Sequence, residues 1–405
     1  MVLVWLPLLP PLLDFCCYCS ELDGMSCVQL ISNGVDADLD TDIPGGVTFV
    51  ELLPDETGFC GWSRANGEAR GRAEWVLPVR PSSACGSNED RTSAATHVNC
   101  DGVSSENAGS AVAQDKRRAG PLTSPDRILF LHGGGYQYYA PWEKYRPLTA
   151  RLALATGMPV LAIDYRKLPE HPFPAAVADT ISALTWIWQH GPGSTQTLEP
   201  ARSVFMCGDS AGGGLAFSCV NAILIGEVIP GRGHDSPAIL PVGLPKLPTA
   251  IGALSPYTDC TCAHASYTTR AWREDGLTGD PVFSDGDAKG EMQACAAGAA
   301  EYYGTTDVRD PRVSPAFAAD ALLRQLPPTL VVVGDSEVML GDSTELVARA
   351  MEAGAPSVAL RVYPRMWHVF PMYSQGCLQG GAGTLAAAEH ALESVAAFLQ
   401  DHACR

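Results

Sequence analysis

Positive charge is scarce in this chain. Lysine and arginine number 27 against 45 aspartates and glutamates, a formal net charge of −18. That balance argues against a nucleic-acid partner and against an anionic membrane surface. The only compact basic run, Lys116-Arg117-Arg118, is too short to form a patch. There is no N-x-S/T sequon, so glycosylation gives no hint of secretion. No apolar run reaches the roughly 20 residues that a spanning helix needs. The apolar stretch Met1 to Leu13 is shorter, contains Pro7, Pro10 and Pro11, and meets Asp14. It also lacks the basic flank of a secretory signal. The favoured reading is a cytoplasmic protein in which this stretch packs on the body or lies over the mouth of a site. Membrane association through the same stretch is the alternative.

Metal-ligand spacing is missing too. The 14 cysteines are irregularly spaced. Cys16, Cys17, Cys19 and Cys27, and the cluster Cys260, Cys262 and His264, lack a second pair at zinc-finger spacing. No metal and no cofactor is expected. Cys207 and Cys219 fall in apolar runs, where a buried free thiol is the ordinary reading.

What is present suits an α/β domain. At 405 residues and 46% hydrophobic, the chain can bury a full core. Short apolar runs end at 131, 163, 207, 254 and 333, and helical spacing separates them. Ile128 to Leu131, Pro159 to Ile163 and Val204 to Cys207 read as buried strands. Pro147 to Ala155 and Ala175 to Trp188 read as helices. Alternating strands and helices imply a mostly parallel sheet covered on both faces. Val47 to Leu53 and Arg72 to Val79 are candidate first strands. Residues 1–79 are thus an N-terminal segment with cap-like and first-strand parts. Residues 80–126, rich in small and polar side chains, read as a disordered insertion. Residues 127–400 form the main domain, with a cap insertion at about 256–322.

Two motifs carry the chemistry. His132-Gly133-Gly134-Gly135 follows one apolar strand. Gly208-Asp209-Ser210-Ala211-Gly212 follows another and precedes the helical run Ala211 to Ile225. The second has the form of a nucleophile elbow, in which a sharp strand-to-helix turn exposes a serine hydroxyl. The first has the form that leaves backbone N–H groups free to face an oxyanion.

These residues, with Asp164-Tyr165-Arg166, the run Pro169 to Ala176 and Gly213-Gly214, resemble the hormone-sensitive-lipase-like family of α/β-hydrolases. The similarity runs on through Ser255-Pro256, Asp310-Pro311, Ser314-Pro315 and Pro327-Pro328, covering roughly residues 125 to 400. Lys167-Leu168 and Gln137 to Ala140 depart from the family pattern, near its acyl or alcohol pocket. The resemblance implies an α/β-hydrolase fold, Ser210 as nucleophile, and an oxyanion hole from Gly133, Gly134 and Ala211.

A serine needs a base, and the base needs an orienting carboxylate. On this fold the order is serine, acid, histidine. His368, in a turn after the alternating strand Val358 to Tyr363, is the expected base. His234, His264, His390 and His402 are the other histidines after Ser210, and His390 falls on the polar face of the last helix. For the acid, counting from Gly334 by the family pattern favours Glu337. Asp335 is the rival, its ordinary reading a turn residue. Asp342 is expected to cap a helix from Ser343 to Met351. Tyr136, Tyr138 and Tyr139, with Trp142, would narrow the substrate cleft.

The expected function is a serine carboxylic-ester hydrolase acting on small-molecule esters of short to medium acyl length through an acyl-enzyme. An amidase or deacetylase with the same triad, and a non-catalytic small-molecule receptor of the same fold, are the alternatives.

Overall fold

The computed structural model describes residues 47–52, 72–79, 124–193, 197–226, 246–270, 280, 288–374 and 385–403. The apolar N-terminal stretch and the core of the 80–126 insertion lie outside the described residues. So do Cys16 to Cys27.

The described strands are β1 (Val47–Leu52), β2 (Arg72–Pro78), β3 (Asp126–Leu131), β4 (Val160–Asp164), β5 (Ser203–Asp209), β6 (Ala250–Leu254), β7 (Thr329–Gly334) and β8 (Val358–Tyr363). They form one sheet in the order β1-β2-β4-β3-β5-β6-β7-β8. β2 pairs antiparallel with β1 and with β4. From β4 across to β8 every pairing is parallel. Such a sheet needs helical crossovers and is buried on both faces, hence the unbroken apolar strands.

Alternate side chains enter opposite layers. Ile128, Phe130, Val160, Ala162, Phe205 and Cys207 face α1 (Arg146–Thr156) and α6 (Ala386–Asp401). Leu129, Leu131, Leu161, Ile163, Val204 and Met206 face α2 (Ala175–Ile187), α3 (Ser210–Ile225) and α5 (Leu340–Ala353). Each large apolar side chain so buried stabilises the fold by about 1.5–3 kcal/mol. Burial pushes the Cys207 thiol up to about 12, and Cys219 moves the same way, so both stay as inert thiols.

A further helix, α4 (Ala288–Tyr303), lies in the insertion after β6. Among the described residues no helix is long and apolar enough to cross a membrane.

Two expected boundaries are corrected. A wide π-helical turn over Pro141–Tyr145 leads into α1, so Pro147 is the second residue of α1 rather than the first. Asp342 does not cap α5, which already begins at Leu340. Its buried carboxylate instead accepts the N–H groups of Thr258 and Asp259 at 3.2 and 3.1 Å and the Tyr267 hydroxyl at 3.2 Å. All three donors come from the insertion and converge on Oδ2.

Candidate active site

The site forms where parallel strands release their C-terminal ends. β5 ends at Asp209 and the chain turns at once into α3, forcing Ser210 to φ 49°. A non-glycine residue in that region is strained by about 1–3 kcal/mol. The tightness explains Gly212: a Cβ there would run into the Leu131 and His132 carbonyls. Leu131 and Gly208 are paired across β3 and β5, so the glycine loop and the elbow leave the sheet at one level.

The Ser210 hydroxyl donates to His368 Nε2 at 2.9 Å. His368 reaches this place from the turn after β8, and it is buried. Glu337, fully buried in the loop after β7, places Oε1 3.5 Å from His368 Nδ1. Its other oxygen accepts Ser255 Oγ at 2.8 Å and Gly334 N at 2.9 Å. Ser255 Oγ in turn accepts the Val369 N–H at 3.1 Å. Burial alone would lower the His368 pKa. The hydrogen bond and charge of Glu337 outweigh it, the charges of Asp280 and Asp209 add to them, and the net direction is upward. Such a group is a stronger base than free imidazole.

Asp335 points elsewhere. Its Oδ1 accepts the Arg365 N–H at 2.6 Å and the Ser336 hydroxyl at 2.8 Å. It braces the turn after β8, and of the two rival acids Glu337 is the one beside His368.

The glycine loop requires one correction. The Gly133 N–H is already committed, to Asp209 Oδ1 and to the Tyr145 hydroxyl, each at 3.0 Å. Gly133 therefore has no free donor for an oxyanion. Gly134, at φ 100°, is half-buried, and Gly135 is exposed. Ala211 lies in the first turn of α3, where N–H groups lack intrahelical acceptors and the helix end is partially positive. His132 supports the loop from beneath. Its ring stacks on Tyr165 at 4.3 Å, and Nδ1–H donates to the Gly133 carbonyl at 2.7 Å. Burial, with the Lys167 charge, lowers its pKa to about 3, so it stays neutral.

Asp209 is buried beneath the elbow, and burial raises its pKa to about 7 against the charge of His368 and the hydrogen bonds of Tyr145 and Gly133. Tyr145 donates to its Oδ2 at 3.2 Å. Sequence reasoning missed Tyr145 and Asp280. Neither stands in a motif, and only the packed structure shows what each touches.

The tyrosines divide. Tyr136 is buried and stacks on Tyr302 of α4. Tyr138 is 43% exposed, and Tyr139 is half-buried against Tyr145. Among the described residues no cluster of His, Cys, Asp and Glu could hold a metal. Cys262 Sγ meets the Tyr257 hydroxyl at 3.2 Å, and Cys260 Sγ the Val313 carbonyl at 3.6 Å.

A family profile described as the alpha/beta hydrolase fold matches residues 128–372. An acetyl-hydrolase of Streptomyces hygroscopicus is 34% identical over 273 residues, covering 67% of this chain and 75% of that protein. The carboxylic ester hydrolase LipN of Mycobacterium tuberculosis is 30% identical over 294 residues, covering 72% and 68%. The solved structure of an esterase from the bacterial hormone-sensitive lipase family matches with a TM-score of 0.59 at 27% identity, covering 89% of this chain and 86% of that one. The chain belongs to the α/β-hydrolase fold family, in its hormone-sensitive-lipase-like branch. Within that branch it is an enzyme of the carboxylesterase type, a hydrolase of carboxylic esters.

Proposed function

We propose that Ser210, His368 and Glu337 are the catalytic triad of this esterase, and that it works through an acyl-enzyme. The observation that carries the reading is the 2.9 Å hydrogen bond from Ser210 Oγ to His368 Nε2, made at a strained elbow with a buried carboxylate behind the imidazole. Ser210 Oγ attacks the ester carbonyl while its proton passes to His368 Nε2. Glu337 orients the ring and offsets the imidazolium charge. The N–H groups of Gly134, Gly135 and Ala211 receive the oxyanion. Collapse expels the alcohol, which takes the proton from His368. Water, deprotonated by the same nitrogen, then releases the acid and frees Ser210.

The proposed substrates are small esters of short to medium acyl length. The Tyr136–Tyr302 stack binds α4 against the oxyanion loop, which argues for a cap made of the insertion and a closed rear wall. A relative named acetyl-hydrolase points the same way. A non-catalytic receptor has no use for a base hydrogen-bonded to the serine. A fluorophosphonate probe tests this directly: one equivalent should attach at Ser210 and abolish ester hydrolysis together. Labelling elsewhere, or none, would overturn the triad.

A further inference from the structure

A third buried carboxylate stands beside the site, and the triad chemistry does not use it. Asp280 is fully buried. Its own N–H donates to the Arg270 carbonyl at 2.7 Å. Its Oδ2 accepts the N–H of Val338 at 3.1 Å, and its Oδ1 the N–H of His368 at 3.4 Å. Val338 is the residue after Glu337. One carboxylate from the insertion therefore spans the loop that carries the acid and the loop that carries the base.

We propose that Asp280 is a positioning residue for ester hydrolysis: by accepting one backbone N–H from each loop it sets the spacing between Glu337 and His368. The proposal rests on the triad reading above. Glu337 Oε1 and His368 Nδ1 stand 3.5 Å apart, at the outer limit of a hydrogen bond, so small loop shifts decide whether the pair engages. Ser255 makes a second tie between the same loops, through Glu337 Oε2 and the Val369 N–H. Ser255 comes from the sheet end and Asp280 from the insertion, so the spacing depends on two separate anchors. Among the described residues, the carboxyl groups facing the imidazole are those of Glu337, Asp280 and Asp209. Asp280 thus also adds negative charge next to the imidazolium that forms during reaction.

The test is steady-state hydrolysis of p-nitrophenyl acetate across pH by the full chain. Asp280→Asn keeps one acceptor but turns an amide N–H toward a backbone N–H. Its kcat should fall about 10–100-fold with KM little changed, as misplacement of reacting groups does. The acid limb of kcat/KM should move to lower pH, since one negative charge near His368 is gone. A merely structural aspartate would lower the melting temperature and leave that limb where it was. Asp280→Glu retains the charge and displaces the carboxylate, so kcat should fall while the limb stays. Wild-type kcat and an unmoved limb in Asp280→Asn would overturn the proposal. If that variant does not fold, wild-type kcat in Asp280→Glu would overturn it instead. Ser210→Ala run alongside separates the two readings. An active Ser210→Ala sinks the triad itself, whereas an inactive one beside a normal Asp280→Asn sinks only the role of Asp280.

Discussion

The rings of Tyr136 and Tyr302 lie parallel, 3.8 Å between centroids and 4° between planes. One follows the glycine loop and the other stands in the last turn of α4, so the stack joins the insertion to that loop. Phe173 closes the outer edge of Tyr302 at 6.0 Å. A wall of this kind cannot retreat for a long chain without breaking the stack. Esters of roughly two to eight acyl carbons should therefore turn over faster than those of about sixteen, as an enclosed pocket requires. Initial rates across a p-nitrophenyl ester series check this, and a rise toward palmitate would refute the closed pocket.

Replacing the proposed nucleophile should leave the fold and remove the chemistry. Ser210→Ala keeps the Cβ and with it the strained backbone, and it takes away the hydroxyl that donates to His368 Nε2. Turnover should drop by several powers of ten with the melting temperature nearly unchanged, a residual rate coming from the oxyanion donors. A folded variant with near-normal turnover would exclude a serine mechanism.

The two acids should separate cleanly. Glu337→Gln removes the charge opposing the imidazolium, and turnover should fall roughly 10³-fold or more. Asp335→Asn still offers an oxygen to the Arg365 N–H, so its turnover should stay within about threefold, as for a surface brace. If the Asp335 variant is the inactive one, the acid is misassigned while the fold stands.

Asp209 gives a pH prediction whose sign is opposite to that of an ordinary ion-paired carboxylate. Its folded pKa, about 7, lies above the ordinary 3.8. The folded chain therefore holds a proton that the unfolded chain releases between roughly pH 4 and 7. The stabilisation linked to that proton is complete below about pH 4 and is lost as pH rises through 7. Asp209→Asn is neutral throughout and still accepts from Gly133 N–H. Its melting temperature relative to wild type should climb from pH 4 to 7, by the equivalent of a few kcal/mol at most. The Asp342 carboxyl, also raised by burial, titrates in both proteins and cancels. Parallel melting curves for the two proteins would show that Asp209 is ionised at all these pH values.

The sheet was readable from sequence because buried parallel strands are plain apolar runs. β3, β4 and β5 fall where Ile128, Pro159 and Val204 open such runs. The edge strand β8 alternates as a half-exposed strand does over its first four residues, with Val358 and Leu360 packed inward and Ala359 and Arg361 exposed, and the pattern breaks at Val362, which is 46% exposed. Ser210 and His368 were legible because their local contexts are stereotyped. Glu337 needed the family count, since Gly334-Asp335-Ser336-Glu337 offers two carboxylates at nearly equal distance from the strand. The fate of the Gly133 N–H was not legible at all. It is decided by Asp209 and Tyr145, respectively 76 and 12 residues away, meeting under the loop. Asp342 misled for the same reason: its partners Thr258, Asp259 and Tyr267 arrive from the insertion.

The pairing of Leu131 with Gly208 in adjacent parallel strands also bears on how the protein comes together. Parallel neighbours cannot form by a hairpin; β3 and β5 meet only after β4 and two crossover helices have been laid down. The Ser210–His368 contact spans 158 residues, and nothing local can stand in for it. During refolding, helical signal should therefore return first, and the ability to react with a fluorophosphonate last, when β8 closes the far edge. A chain stalled before that point would carry its nucleophile on an elbow with no base beside it, already folded in part but chemically silent.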